Sequence, residues 1–313
     1  MFSRLLRFGP VQIVLFLVGI VLAIICRDIV AAILGIALAV DEPAKMWMAP
    51  RGTISEDPAQ VLQAVIAAAA MIALGFAAYR ACVVYVEKRA PAELAMKGAL
   101  TFLAQGALVG FSVVLFVVGA LTVLGMIEVN LRPLSVAVLI PLAAAASAAF
   151  MEELLFRGIL FRFLERGVGS WLALLLTATL FGAGHASNPN ASVLSTISIA
   201  GLAGVALGLA YMATRSLWFP IGIHFAVNIV QGTVLGLPVS GKESVGIFAS
   251  RLGGPALLTG GPFGLEASVL FLPAGGVAIA ALLWLTLKRQ QIRPPYWERR
   301  RKAAPSSRSE ARA

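Results

Sequence analysis

The chain has 313 residues, 59% of them hydrophobic and only 13% charged, with a mean hydropathy of +0.91 and a net charge of +10. A soluble domain carries about 25% charged residues, so this chain has too little polar surface to cover one or two soluble domains of its length. The composition points to a polytopic membrane protein.

The apolar runs, in chain order, support this. A helix of about 20 apolar residues crosses a bilayer. Candidate spans are Val11 to about Val30, Val61 to Val86, Leu100 to Met126, Leu134 onward, Trp171 to Ala186, Ala191 to Thr214, Leu217 to Leu235, and Ala267 to Leu287. They predict an all-α bundle of about eight transmembrane helices. The first run is interrupted by Arg27 and Asp28, and Ala37–Ala39 is similar to a signal-peptidase site. The charged pair ahead of that site favours an uncleaved anchor.

With Arg27 and Arg157 set aside as intramembrane, 18 of the remaining Lys and Arg fall on the side of the N-terminus. Five, namely Lys45, Arg51, Arg132, Lys242 and Arg251, fall on the other side. The positive-inside rule therefore predicts that both termini are cytoplasmic. Trp171, Trp218 and Trp284 fall at the same inner boundary, where interfacial anchors belong. From Lys288 to Ala313 there are nine basic and two acidic residues, which predicts a mobile tail lying against anionic lipid rather than a nucleic-acid arm. Cys26 and Cys82 lie in apolar runs, as buried packing residues without a disulfide or metal role. The chain divides into N-terminal helices (1–133), a helical core (134–236), an outer loop with the last helix (237–287) and the tail (288–313). In the sixth span, Gly201, Gly204 and Gly208 at helical spacing predict close helix packing.

Charged and imidazole side chains inside these runs carry the functional signal. A charge at mid-bilayer costs roughly 2.5–3.5 kcal/mol on insertion scales. Even so, Glu152, Glu153 and Arg157 follow an uncharged stretch directly in MEELLFRG. The chain has two histidines, His185 ending FGAGH and His224 opening HFAVN, and both are in apolar spans. Asn228 follows His224 at i+4 on the same helix face. A lone buried histidine is most often a packing residue; six polar groups on three spans are harder to explain that way.

Depth tests whether they meet. At 1.5 Å per residue, His224 and Asn228 lie roughly 11 and 17 Å beyond Leu217, and His185 about 21 Å beyond Trp171. Glu152 reaches a similar depth, about 21 Å, only if its helix continues through LLFRGILFRFLER to Arg166. That long helix is expected, with Pro141 bending its outer half. Adjacent helical residues point about 100° apart. Glu153 should therefore pair with Arg157 at i+4 while Glu152 faces the histidines.

EELLFR, FGAGH and HFAVN, in that order on successive late spans, resemble the EExxxR, FxxxH and HxxxN motifs of the CAAX-protease and bacteriocin-processing (CPBP, or Abi) family. These are intramembrane proteases related to the CAAX prenyl endopeptidase. The likeness covers about Leu134 to Gln231, with a softer similarity in RAPAEL. It implies metal-free, cofactor-free, glutamate-dependent hydrolysis of a membrane-associated peptide or protein, with Glu152, His185, His224 and Asn228 as catalytic residues. In that scheme Glu152 is general base to a water that His185 holds, and His224 and Asn228 donate to the oxyanion. Glu153 and Arg157 support Glu152 or the substrate terminus, and Phe181 packs the pocket wall. The compact form without an organellar signal suggests a bacterial plasma membrane. Two rivals remain: a zinc protease using Glu152, His185 and His224, and a non-catalytic immunity or regulatory membrane protein.

Overall fold

A computed structural model describes residues 9–37 and 56–303. Among them, six helices are long and apolar enough to cross a membrane. We number the helices α1 (Gly9–Ala37), α2 (Pro58–Ala81), α3 (Ala99–Val123), α4 (Leu139–Glu153), α5 (Arg162–His185), α6 (Val193–Ser198), α7 (Val205–Thr214), α8 (Trp218–Asn228), α9 (Phe271–Lys288) and α10 (Tyr296–Ala303). Local chemistry explains several starts. Asp57 accepts from Ala59 N at 3.0 Å, with Pro58 opening α2. Ser192 and Ser195 form a reciprocal capping box at α6.

The expected long fourth helix is present. Helix α4 passes without a break through a π-helical segment, Leu154–Phe161, into α5. Gly169 then turns the chain with φ 80° and ψ 172°, a conformation outside the helical region, so Val136–His185 contains two successive rods. Pro141 does not bend the outer half; it sits in the first turn of α4, where a missing N–H is tolerated. Two further π segments, Ile199–Gly204 and Ile229–Val234, link α6 to α7 and extend α8.

Packing at the centre depends on bare backbone. Helix α3 crosses α8 so closely that a methyl group on Gly106 would stand 2.1 Å from Phe219 O, and one on Gly110 would stand 2.4 Å from Ile223 O. GALVG is thus a small-xxx-small contact that presses the backbones of α3 and α8 together. In the sixth span, Gly204 and Gly208 pack closely on Ala178 and Leu174 as expected, whereas Gly201 faces open space. One apolar cluster, with Phe16, Tyr79, Leu154, Phe161 and Phe181, fills the bundle, and a second is built around Val117, Val230, Leu265 and Phe271. The stretch 237–287 packs into this second cluster against the core.

Three further expectations need correction. The fold is helical but includes a two-stranded antiparallel sheet, β1 (Ile127–Leu131) paired with β2 (Phe248–Leu252) in the register Ile127 to Leu252, which joins two connections between helices. Cys26 is exposed on α1 rather than buried, since α1 touches the bundle along one stripe only. The first part of the tail is folded: Ser170 N donates to Arg293 O (3.0 Å), Arg293 N donates to Ser170 Oγ (2.9 Å), and α10 follows. The corner at Gly169 provides the dock, because a Cβ there would meet Pro295 N at 2.8 Å. Residues 38–55 and 304–313, which include the end of the signal-like motif and the rest of the tail, lie outside the described residues.

Candidate active site

The three motif segments converge. Glu152 and Glu153 end α4, His185 ends α5, and His224 and Asn228 lie on the last two turns of α8. Glu152 Oε2 stands 3.9 Å from His185 Nε2 and 3.9 Å from His224 Nε2. These distances exceed a direct hydrogen bond and match a gap that one water spans. Glu152 Oε2 is buried and has no hydrogen-bond partner among the described residues.

Glu153 points the other way and is fully buried with Arg157. Arg157 Nη1 donates to Glu153 Oε1 at 2.7 Å, the expected i, i+4 pair. The same Oε1 also lies 3.1 Å from His224 Nδ1, a contact the sequence reading missed. Glu153 therefore holds His224 rather than Glu152. Arg157 is held in turn by the Gly204 carbonyl (Nη2 to O, 3.0 Å) and lies over the Phe181 ring at 4.7 Å. Gly204 closes the π segment Ile199–Gly204, so that segment's carbonyl is used by the site. A buried ion pair is costly to desolvate and costly to break by removing one partner, and the extra bonds to His224 and Gly204 stabilise this one.

Histidine tautomers follow from their neighbours. His185 Nδ1 is 2.8 Å from Phe181 O, and a carbonyl only accepts, so Nδ1 carries a proton and Nε2 is the nitrogen that faces Glu152. His224 Nδ1 donates to the Glu153 carboxylate in the same manner. Phe181 lines the wall between them, its ring 4.9 Å from His185 and 6.0 Å from His224. The Asn228 side chain makes no hydrogen bond among the described residues, and Asn228 lines both adjoining cavities.

One cavity of about 90 Å³ is apolar and lies between α3, α7, α8 and α9. The other, of about 140 Å³, is more polar and runs from Glu152 past Ala148 and Ala144 to the loop at Lys242–Ser244. Ser240 borders both. Its N–H and hydroxyl donate to Glu266 Oε1 at 3.2 and 3.1 Å, and Asn188 Nδ2 donates to its carbonyl at 2.9 Å. Burial pushes the Glu266 carboxyl up to about 7, against the opposing pull of Ser240 and Gln231. Asn188, Ser240 and Glu266 were not anticipated: they lie in loops without periodicity, and no spacing rule connects them to the motifs.

Searches among curated proteins and among solved structures return no match for this chain. Residues 133–230 match the family model described as type II CAAX prenyl endopeptidase Rce1-like. The seven motif residues Glu152, Glu153, Arg157, Phe181, His185, His224 and Asn228 fall inside the matched segment. The match, together with the three motifs converging on one site, makes this segment of a multi-pass membrane protein similar to the CAAX-type (CPBP) intramembrane proteases.

Proposed function

We propose that the protein is a glutamate-dependent intramembrane endopeptidase with about eight spans and both termini cytoplasmic, in a bacterial plasma membrane, acting on a membrane-associated peptide or protein. One observation carries the reading: a single buried carboxylate oxygen, Glu152 Oε2, is equidistant from two imidazole Nε2 atoms at 3.9 Å. A water in that gap hydrogen-bonds to Glu152 and to the lone pair of His185 Nε2. As its oxygen attacks the scissile carbonyl carbon, its proton passes to Glu152. The developing oxyanion accepts from Asn228 Nδ2 and from His224 Nε2, the ring acting in its doubly protonated form with the Nδ1 hydrogen held by Glu153. Protonated Glu152 then returns the proton to the leaving amine nitrogen as the C–N bond breaks. Arg157 keeps Glu153 in place and so orients His224.

A second reading uses the same donors. Glu152 Oε2, His185 Nε2 and His224 Nε2 are atom types that zinc accepts, and both histidines hold their other nitrogen against an acceptor, although no group of three His, Cys, Asp or Glu among the described residues is spaced to hold a metal ion. Two measurements separate the readings. New peptide termini in membranes carrying the wild-type chain, absent with Glu152→Gln, establish Glu152-dependent proteolysis. Loss of that activity with EDTA, restored by zinc, would favour the metal reading; indifference to EDTA favours glutamate as the base.

A further inference from the structure

The proposed reaction needs a route for peptide and water to Glu152, and the two ends of the bundle differ in whether they offer one. The basic end is tied shut by three acids. Glu87 takes both Nη atoms of Arg162 at 2.6 Å and also Arg166 and Arg89. Glu93 takes Arg89 and the Tyr79 hydroxyl, and its carbonyl accepts from Leu217 N at 2.8 Å. Glu165 takes Arg215 at 2.7 Å and Ser170 at 2.6 Å. Together they join the 82–97 segment, the 162–170 corner, the turn before α8 and the tail. None of these acids or their partners lines either cavity at the site.

The polar cavity opens at the other end. Its wall rises from Glu152 along Ala148, Ala144 and Pro141 to the loop residues Lys242, Glu243 and Ser244. The small alanine side chains leave a slot for an extended backbone. Both charge signs occur at the mouth, so neither sign of substrate is repelled. Basic clusters flank the cytoplasmic face of membrane proteins, and here the sealed end is the one carrying Arg89, Arg162, Arg166, Arg215 and the tail. We infer that the site is loaded from the extracytoplasmic face, and that its substrate is a peptide segment exposed there. A lipidated C-terminus that stays at the basic face is on the wrong side of the seal.

This inference deepens the proposed function, and its test is separable because it reads access rather than proteolysis. The cysteines at 26 and 82 are replaced by alanine, and single cysteines are introduced at Ala148 in the slot, Glu243 at the mouth or Glu298 on α10. A charged, membrane-impermeant methanethiosulfonate is added to intact cells or to inverted vesicles, and unreacted thiol is then counted by a maleimide-polyethylene glycol gel shift. The expected result is that Ala148→Cys and Glu243→Cys lose the shift when the reagent is outside intact cells, and Glu298→Cys loses it only in inverted vesicles. Protection of Ala148→Cys by reagent from the inner side overturns the inference. So does an Ala148→Cys that reacts from neither side while Glu243→Cys reacts. If Ala148→Cys does not fold, Ser244→Cys on the same cavity replaces it under the same outcomes.

Discussion

Replacing Gly110 by alanine tests whether the contact between α3 and α8 sets the catalytic geometry. The new methyl carbon would stand 2.4 Å from Ile223 O and 3.1 Å from Ala226 Cβ. A carbon-to-oxygen contact needs about 3.3 Å, so α8 has to retreat by roughly 1 Å. Ile223 precedes His224 directly, so the displacement shifts Nε2 relative to Glu152 and Nδ1 relative to Glu153. A misplacement of about 1 Å costs on the order of 10²-fold in rate, or about 3 kcal/mol of transition-state stabilisation. The assay is the rate of appearance of new peptide termini in reconstituted membranes, with a thermal melt in detergent alongside. Gly119→Ala is the control: nothing lies within 4 Å of a Cβ there, and alanine adds about 1 kcal/mol of helix propensity, so activity and melting should hold or improve. If Gly110→Ala retains both wild-type activity and wild-type melting, the contact does not position His224 and the reasoning fails.

Other outcomes follow from particular contacts. Arg157→Lys keeps the charge but cannot bond Glu153 and the Gly204 carbonyl as one planar fork; it should lower turnover by about 10-fold to 10²-fold while the protein stays folded, and an unchanged rate would remove Arg157 from the account. At the sealed end, Glu87 is surrounded by Arg162, Arg166 and Arg89, whose bonds outweigh burial and hold its carboxyl at about 2. Its contribution is present above the unfolded value near 4.5 and lost as pH falls toward 2, so Glu87→Gln should reduce stability at pH 7 by about 3 kcal/mol and flatten the acid limb of a pH–melting curve. Glu266 has the opposite sign. With its folded value near 7, the native state holds its proton longer than the unfolded chain, so stability falls between about pH 4.5 and 7, and Glu266→Gln should abolish that slope.

Much of the site was legible because the bilayer makes polar residues in apolar runs expensive. Glu152, Glu153, Arg157, His185, His224 and Asn228 stood out for that reason, and the i, i+4 rule paired Glu153 with Arg157. The same rule sees only one helix, so it could not reveal that Glu153 also holds His224, 71 positions away. The depth arithmetic assumed uniform α-helix, whereas π turns follow Glu153 and Asn228 directly and change which residues share a face. GALVG was hidden inside an apolar span whose other residues also fit lipid contact, and only the partner backbone at Phe219 and Ile223 shows why glycine is needed there. The charged tail was read as mobile from composition, which does not register the two backbone bonds between Ser170 and Arg293.

The central claim is that Glu152 is the base. Its most direct test is the hydrolysis rate of purified Glu152→Gln, with the wild-type peptide products as reference and the melting temperature as a check on folding. The substitution keeps shape and removes only the proton acceptor. The account predicts a loss of about 10²–10⁴-fold with melting unchanged. A rate within about tenfold of wild type, well short of what a lost general base costs, would contradict it.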